Sequence, residues 1–423
     1  MPDGAGVADS GFDVDLSRVA ELRNGLLRDI GQLRELEAVH WSPASRCWIV
    51  TRHADIVDGF SGRLPLSNNK MALSSFGDIP LETALQKLPN LLHYPKFWIT
   101  ETDPPIHTKL RKLLVKAFSR PVVEGIRPFA QARVEYLMDK IARNPELEFN
   151  EEVARQLPGT VILKLLGLPD ELYGHLKEWA TAFTVALASR LPKLEWLERA
   201  ERAMVEMNGI FREEIANRRA NPRGEADFLS QIISADGHED ALTEEELLGT
   251  LQLIIVAGHD TTANSMSLGV AALAKHPQAW AHMRQNPDLM GQSILEIMRY
   301  SAMSAAMPRL VSEDFSWHGK QLKRGEVVIL MISSGNRDPR AYDDPERLDL
   351  TRRNDQSLTF APGLHHCVGH LLARMQLGEF FSALVNRFDG AAVLDDELDF
   401  LPQLVFRGVG SLHMRFAPRK EPH

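Results

Sequence analysis

Cysteine is scarce: Cys47 and Cys367 are the only two among 423 residues. That excludes a disulfide-stapled secreted scaffold, and a reducing compartment suits both thiols. No stretch of about eighteen apolar residues is present. The opening Met1-Pro2-Asp3-Gly4-Ala5-Gly6 carries no basic-then-apolar signal, so the expectation is a cytoplasmic protein free of membrane. Linkers rich in Ser, Gly and Pro, low-complexity tracts and internal repeats are also absent, and the loop-like breaks of note are residues 220–225 and 234–240. Positive charge is not in excess; a net charge of -9 argues against nucleic acid as a partner. No Gly-x-Gly-x-x-Gly follows a strand pattern, which speaks against a built-in nicotinamide or flavin module.

What is present is an ordinary globular composition, 44% hydrophobic and 25% charged, with ample length for a large core. Most of the chain reads as amphipathic helix, and strand signals are confined to residues 47–51, 327–332 and 411–416. The predicted fold class is therefore mainly α with small β-sheets, and Cys47, in an alternating strand pattern, reads as packing. Thr243-Glu244-Glu245-Glu246 has the capping-box pattern of a helix start, and the helix it opens runs to Lys275, where His276-Pro277 stops it. At 1.5 Å per residue it would be roughly 50 Å long, enough to cross the molecule. Leu253 to Ala257 is apolar on all sides and must be buried; Gly258-His259-Asp260-Thr261-Thr262 then puts polar groups in the core. Burying Asp260 without a purpose would cost several kcal/mol or force it to take up a proton. Taken alone, the residues leave two readings open. Either Asp260 and Thr261 do chemistry, or Thr261 back-bonds to its own helix and Asp260 sits in a salt bridge.

The densest signal is Phe360-Ala361-Pro362-Gly363-Leu364-His365-His366-Cys367-Val368-Gly369-His370-Leu371-Leu372-Ala373-Arg374. It sets one cysteine between two glycines at the mouth of a helix whose apolar face is Leu371, Leu372 and Met375. Gly363 can take a left-handed turn, Gly369 leaves room for a flat cofactor, and Cys367 can offer a thiolate to a metal. Two other readings stand beside this one: a buried structural cysteine, or a zinc site with His365, His366 and His370. Zinc seldom draws all four ligands from six residues.

This stretch resembles the cytochrome P450 loop Phe-Gly-x-Gly-x-His-x-Cys-x-Gly followed by Leu-Ala-Arg. The one departure is Ala361 in place of glycine; Pro362 is expected to push residue 361 into extended backbone, which alanine tolerates. The resemblance runs from about residue 45 to the C-terminus. It implies a single domain over residues 15–423 behind an unstructured stretch 1–14, of the soluble bacterial type, with a long distal helix and a haem b held between distal and proximal helices. Cys367 would be the axial ligand to the iron, with Phe360, Gly363, His365, Gly369, Ala257 and Gly258 around the haem. Ala257-Gly258-His259-Asp260-Thr261-Thr262 matches the distal motif, in which the helix opens at the glycine, Thr261 hydrogen-bonds the dioxygen and Asp260 relays protons, His259 being structural. Glu296-x-x-Arg299 with Arg347 of Pro345-Glu346-Arg347-Leu348 would form a bracing triad. His107, Arg111, Arg309 and His365 would bind the haem propionates, the arginines being suited to bidentate contact.

The activity implied is insertion of one oxygen atom from dioxygen into a hydrophobic small organic molecule. The alternatives are a peroxide-using peroxygenase, which commonly lacks an acid–alcohol pair such as Asp260 and Thr261, and a non-catalytic haem-thiolate sensor. Electrons would come from a separate ferredoxin, docked on Lys109, Lys112, Lys116, Arg120 and Arg374, and the protein would be a monomer. Leu64 to Ile99, with Met71, Leu73, Phe76, Leu92 and Trp98, would lid the pocket. Ala257, residues 304–307 and Val405-Phe406 would wall it; none of these candidates is charged, which favours an uncharged substrate.

Overall fold

The computed structural model describes residues 12–18, 25–69, 79–187, 192–223, 228–233, 241–401 and 403–419, and helix predominates in it. The helices that build the site are α1 (Ile106–Ala117), α2 (Arg120–Arg143), α3 (Gln156–Leu166), α4 (Tyr173–Leu187), α5 (Leu194–Ala220), α6 (Glu244–Gly258), α7 (Asp260–Ala274), α8 (Met290–Ser301) and α9 (His370–Arg387). Both halves of the predicted capping box form: Glu246 N–H donates to Thr243 Oγ1 at 3.2 Å, and Thr243 N–H to Glu246 Oε2 at 2.8 Å. Two orphan amides are thereby satisfied where α6 begins. The helix expected as one rod is two, broken at His259. Their interior position explains the apolar run, since the main core gathers around them from α2, α3, α4, α5, α8 and α9.

Among the described residues ten short strands make three sheets. The five-stranded sheet has the order β1 (Val39–Ser42), β2 (Cys47–Val50), β8 (Val327–Leu330), β5 (Met307–Val311), β3 (Leu66–Ser67). β2 runs parallel to β8 and the other pairs are antiparallel. All three predicted strand regions hold strands, the last being β10 at His413–Pro418, and Cys47 is packed in the core. The register sets Arg309 opposite Val328. A second apolar cluster, including Phe60, Val328 and Leu358, lies on this sheet.

Two expectations are corrected here. Residues 12–14 are packed, contrary to an unstructured 1–14: Val14 is buried, and Asp13 binds His40 Nε2 at 3.0 Å and the Ala44 amide at 3.2 Å. Arg347 does not join the Glu296–Arg299 pair. Its side chain is 65% exposed and turns to Asp349 at 2.7 Å, and only its carbonyl oxygen accepts from Arg299, at 3.2 Å. Arg352 takes that place, Nε donating to Glu296 Oε1 at 3.3 Å, because the loop after Asp344 folds back and returns the later arginine to the core.

Candidate active site

The cysteine loop is fixed by its own backbone. Leu358–Phe360 forms a single 3₁₀ turn, and from there Cys367 N–H donates to Phe360 O at 2.8 Å and His366 N–H to Gly363 O at 3.1 Å. Gly363 has φ of 81°, and a Cβ there would collide with the carbonyl oxygen of Phe60, so the position demands glycine twice over. Ala361 corrects the expectation of a tolerated extended backbone: its ψ is 127°, but its φ is +52°, where a side chain is strained. Pro362 constrains ψ and leaves the sign of φ to the tertiary fold. His370 Nδ1 lies 2.9 Å from Cys367 O, and Arg111 Nη1 donates to His366 O at 3.0 Å. Cys367 is solvent-accessible, yet protein surrounds it closely enough that desolvation pushes its thiol up, against the Gly369 amide and the charge of Arg111.

On the distal side, Gly258 lies where a Cβ would come within 2.9 Å of Ile162 Cδ1 on α3, so any side chain there would have to displace the tip of Ile162. Around the break, Ala257 is exposed and Val256, Gly258 and Thr261 are half-buried, while the turns before and after are buried on every side. Thr261 Oγ1 donates to Ala257 O at 2.7 Å. Asp260 is buried, its Oδ2 accepting from Thr184 Oγ1 of α4 at 2.6 Å, and His259 Nδ1 lies 2.8 Å from Oδ1. Desolvation opposes ionisation here, but the contacts with His259 and Thr184 and the charge of Arg155 outweigh it and hold the Asp260 carboxyl down to about 2. Both features of the structural reading, the back-bonded threonine and the paired aspartate, are thus present; they describe the resting geometry of the same residues. Thr184 carried no sequence signal, because it reaches Asp260 from another helix.

A third group lies between these two. His107 is fully buried and neither ring nitrogen has a hydrogen-bond partner; its ring packs against that of His365 at a centroid distance of 4.2 Å. Desolvation and Arg111 push the His107 imidazolium down. Arg309 is buried too, and its Nη1 donates to Pro308 O at 2.9 Å. Its guanidinium lies over the Phe60 ring, the same residue whose carbonyl Gly363 packs on. Burial pushes Arg309 down to about 10, with Glu101 and Asp103 opposing. Arg111 is with the cysteine loop and is tied to its backbone.

The lid and the basic patch divide. Met71, Leu73 and Phe76 lie outside the described residues. Leu92 is half-buried against the main core, while Trp98 is buried in it, donating from Nε1 to Gln252 at 3.2 Å. Val405 O accepts from Ala305 and Ala306 at 2.9 and 3.3 Å, so those two wall segments adjoin. Lys109, one of the residues of the expected docking patch, pairs with Glu246 at 2.7 Å.

Residues 170–409 match the family model described as Cytochrome P450. The chain is 31% identical over 351 residues to Cytochrome P450 CYP107DY1 of Priestia megaterium (strain ATCC 12872 / QMB1551), covering 81% of this chain and 82% of that one. It is 29% identical over 378 residues to linalool 8-monooxygenase of Pseudomonas putida, covering 85% and 88%. The crystal structure of CalO2 superposes with a TM-score of 0.87 at 28% identity, covering 96% of this chain and 99% of that one. The chain belongs to the cytochrome P450 family. It is a haem-thiolate monooxygenase, an oxidoreductase, and among the described residues no helix is long and apolar enough to cross a membrane.

The residues present fit a haem. Gly369 has an ordinary φ of -81° and a Cβ there would meet nothing within 4 Å, so the surrounding protein does not require glycine; a flat group lying against the loop would. The unpartnered nitrogens of His107 and the buried cation of Arg309 are donors suited to carboxylates. Among the described residues no cluster of three or more His, Cys, Asp and Glu is arranged to hold a metal ion, which sets the zinc reading aside.

Proposed function

We propose that this enzyme inserts one oxygen atom from dioxygen into an uncharged, hydrophobic small organic molecule, using haem b and electrons from a separate ferredoxin-type protein. The observation that carries the reading is the opening at the break in the apolar helix pair, where Ala257 is exposed and Gly258 and Thr261 are half-buried, with a carboxyl and a hydroxyl at that spot. When bound, the haem would supply the oxygen activation and the oxidising power.

The chain's own residues supply the rest. Cys367 would hold the iron as a thiolate, its charge eased by the Gly369 amide and Arg111. His107, His365 and Arg309 would neutralise the propionates. Thr261, while its hydroxyl proton is given to Ala257 O, can only accept a hydrogen bond, so it orients a protonated ligand and does not itself donate. Asp260, ionised and held by Thr184, is able to take up a proton from the protein side and release it toward Thr261. Ala257, Ala305, Ala306, Val405 and Phe406 give the site an uncharged wall, which excludes water and favours an apolar substrate.

Two substitutions test this. Cys367→Ser should abolish the red-shifted Soret band of the reduced, carbon monoxide-treated protein; an unchanged band would sink the ligand assignment. Thr261→Ala should consume reduced nicotinamide largely without product when ferredoxin and its reductase are supplied, and fully coupled turnover would contradict the role given to Thr261. Turnover of the wild type with hydrogen peroxide but not with dioxygen and reductant would favour the peroxygenase reading.

A further inference from the structure

The break between α6 and α7 contains a second titratable group, His259, which is fully buried. Its Nε2 lies 3.1 Å from the carbonyl oxygen of Arg155. A carbonyl only accepts, so Nε2 must carry a hydrogen. Its Nδ1 lies 2.8 Å from Asp260 Oδ1, off the line a good hydrogen bond needs. In a neutral ring with its hydrogen on Nε2, the electron-rich Nδ1 would lie against a carboxylate oxygen across that short gap in a low-dielectric interior. That contact is repulsive. It becomes attractive when a proton lies on Nδ1.

The charges packed around the pair leave this role to His259. From the π-helical turn Asn150–Ala154 and the residue after it, Glu151 accepts from Arg155 at 2.7 Å. From α4, Lys177 reaches Glu151 at 2.6 Å and Thr184 binds Asp260. Tyr173, also on α4, is pushed up to about 12 by burial and stays neutral, with the charge of Arg133 on α2 opposing that shift. Arg155 and Lys177 are both bonded to Glu151, so although the charge of Arg155 reaches Asp260, the basic group in contact with that carboxylate is His259. Packing supports the placement: a Cβ on Gly159 of α3 would strike the Tyr173 ring at 2.5 Å and approach His259 Cδ2 at 3.2 Å.

We propose that His259 is a doubly protonated imidazolium and the positioning residue for Asp260: Arg155 O anchors one side of its ring, and the other side holds the carboxylate ionised within the broken turn. The proposal rests on the reading of Asp260 given above. It gives that carboxylate a fixed orientation between Thr184 and His259, and a reason to remain charged where burial alone would protonate it.

Infrared spectroscopy of the holoenzyme tests it. His259→Gln keeps a donor for Arg155 O but removes the cation, and its folded form should show the carbonyl stretch of a protonated carboxylic acid at pH 7. The wild type and the double variant His259→Gln, Asp260→Asn should lack that band, and His259→Lys should suppress it by restoring a cation. Asp260 remaining ionised in folded His259→Gln, or a protonated Asp260 in the wild type at pH 7, overturns the proposal. Should His259→Gln not fold, ¹⁵N-histidine NMR of the wild-type holoenzyme in its diamagnetic carbon monoxide form decides instead: two N–H groups on the His259 ring are expected, and a neutral tautomer overturns the idea. Neither readout depends on turnover. If the infrared band appears in His259→Gln while coupling of reductant to product is unchanged, the pair stands and it is the relay role of Asp260 that fails.

Discussion

Two buried clusters of charge in this protein are built on opposite rules. In one, Glu296 and Arg299 bind each other through two bonds, at 2.7 and 2.9 Å. Arg299 also donates to the carbonyls of Asn336, Pro345 and Arg347, and Glu296 accepts from Arg352 and the Asp349 amide. In the other, His107 and Arg309 are buried beside the cysteine loop, the imidazole with no hydrogen-bond partner among the described residues and the guanidinium bonded to the Pro308 carbonyl. Desolvation costs a buried ion several kcal/mol, and hydrogen bonds offset that cost only where they are made. A closed cluster serves the fold, and an open one leaves donors for the carboxylates of the proposed haem.

Breaking the closed cluster should give the largest effect. Arg299→Ala leaves a buried carboxylate with its main partner gone and should destabilise the enzyme by about 3–5 kcal/mol in urea unfolding. Arg352→Ala removes the bond to Glu296 together with those to the Asp343 and Asp344 carbonyls and should cost about 1.5–3 kcal/mol. Arg347→Ala, at an exposed side chain, should stay within about 0.5 kcal/mol of wild type. A larger loss for Arg347 than for Arg352 would reverse the assignment made here.

The open cluster should respond the other way. Arg309→Leu removes a cation that burial disfavours, so stability without haem should be unchanged or raised by about 1–3 kcal/mol. The sign follows from the shift: a base whose folded pKa is pushed down, here to about 10, is destabilised wherever it is charged, including neutral pH. Haem retention should fall nonetheless, by about 2–5 kcal/mol of binding, read as faster haem transfer to a scavenging apoprotein. If Arg309→Leu loses stability as Arg299→Ala does and keeps its haem, the two clusters are of one kind.

The contrast also explains what the sequence could reveal. The cysteine loop was legible because its chemistry is local: Phe360, Gly363, Cys367 and Gly369 act within ten residues, and their spacing is their geometry. The capping box at Thr243 was legible for the same reason. Arg352 was not, since only the folded loop decides which of several arginines returns to Glu296. The partners of Asp260 were hidden in two ways, Thr184 by distance in sequence and His259 by a break that turns an adjacent side chain back on its neighbour. The pairing of Lys109 with Glu246 was hidden likewise, since the two are 137 residues apart.

The smallest expected effect tests the loop that was easiest to read. Ala361 holds a φ of +52° that glycine adopts freely, and the strain of such a position is about 1–3 kcal/mol. Ala361→Gly relieves it but gives the unfolded chain more freedom, at a cost of about 0.5–1 kcal/mol. The net expectation is a stabilisation of roughly 0–2 kcal/mol in urea unfolding of the holoenzyme, with the carbon monoxide band unmoved, because Cys367 N–H keeps its bond to Phe360 O on the other side of the turn. Destabilisation by Ala361→Gly would mean that the methyl group's packing on the sheet cluster outweighs the strain. Loop shape at this position would then be set by side-chain contact, and the left-handed backbone would be its consequence.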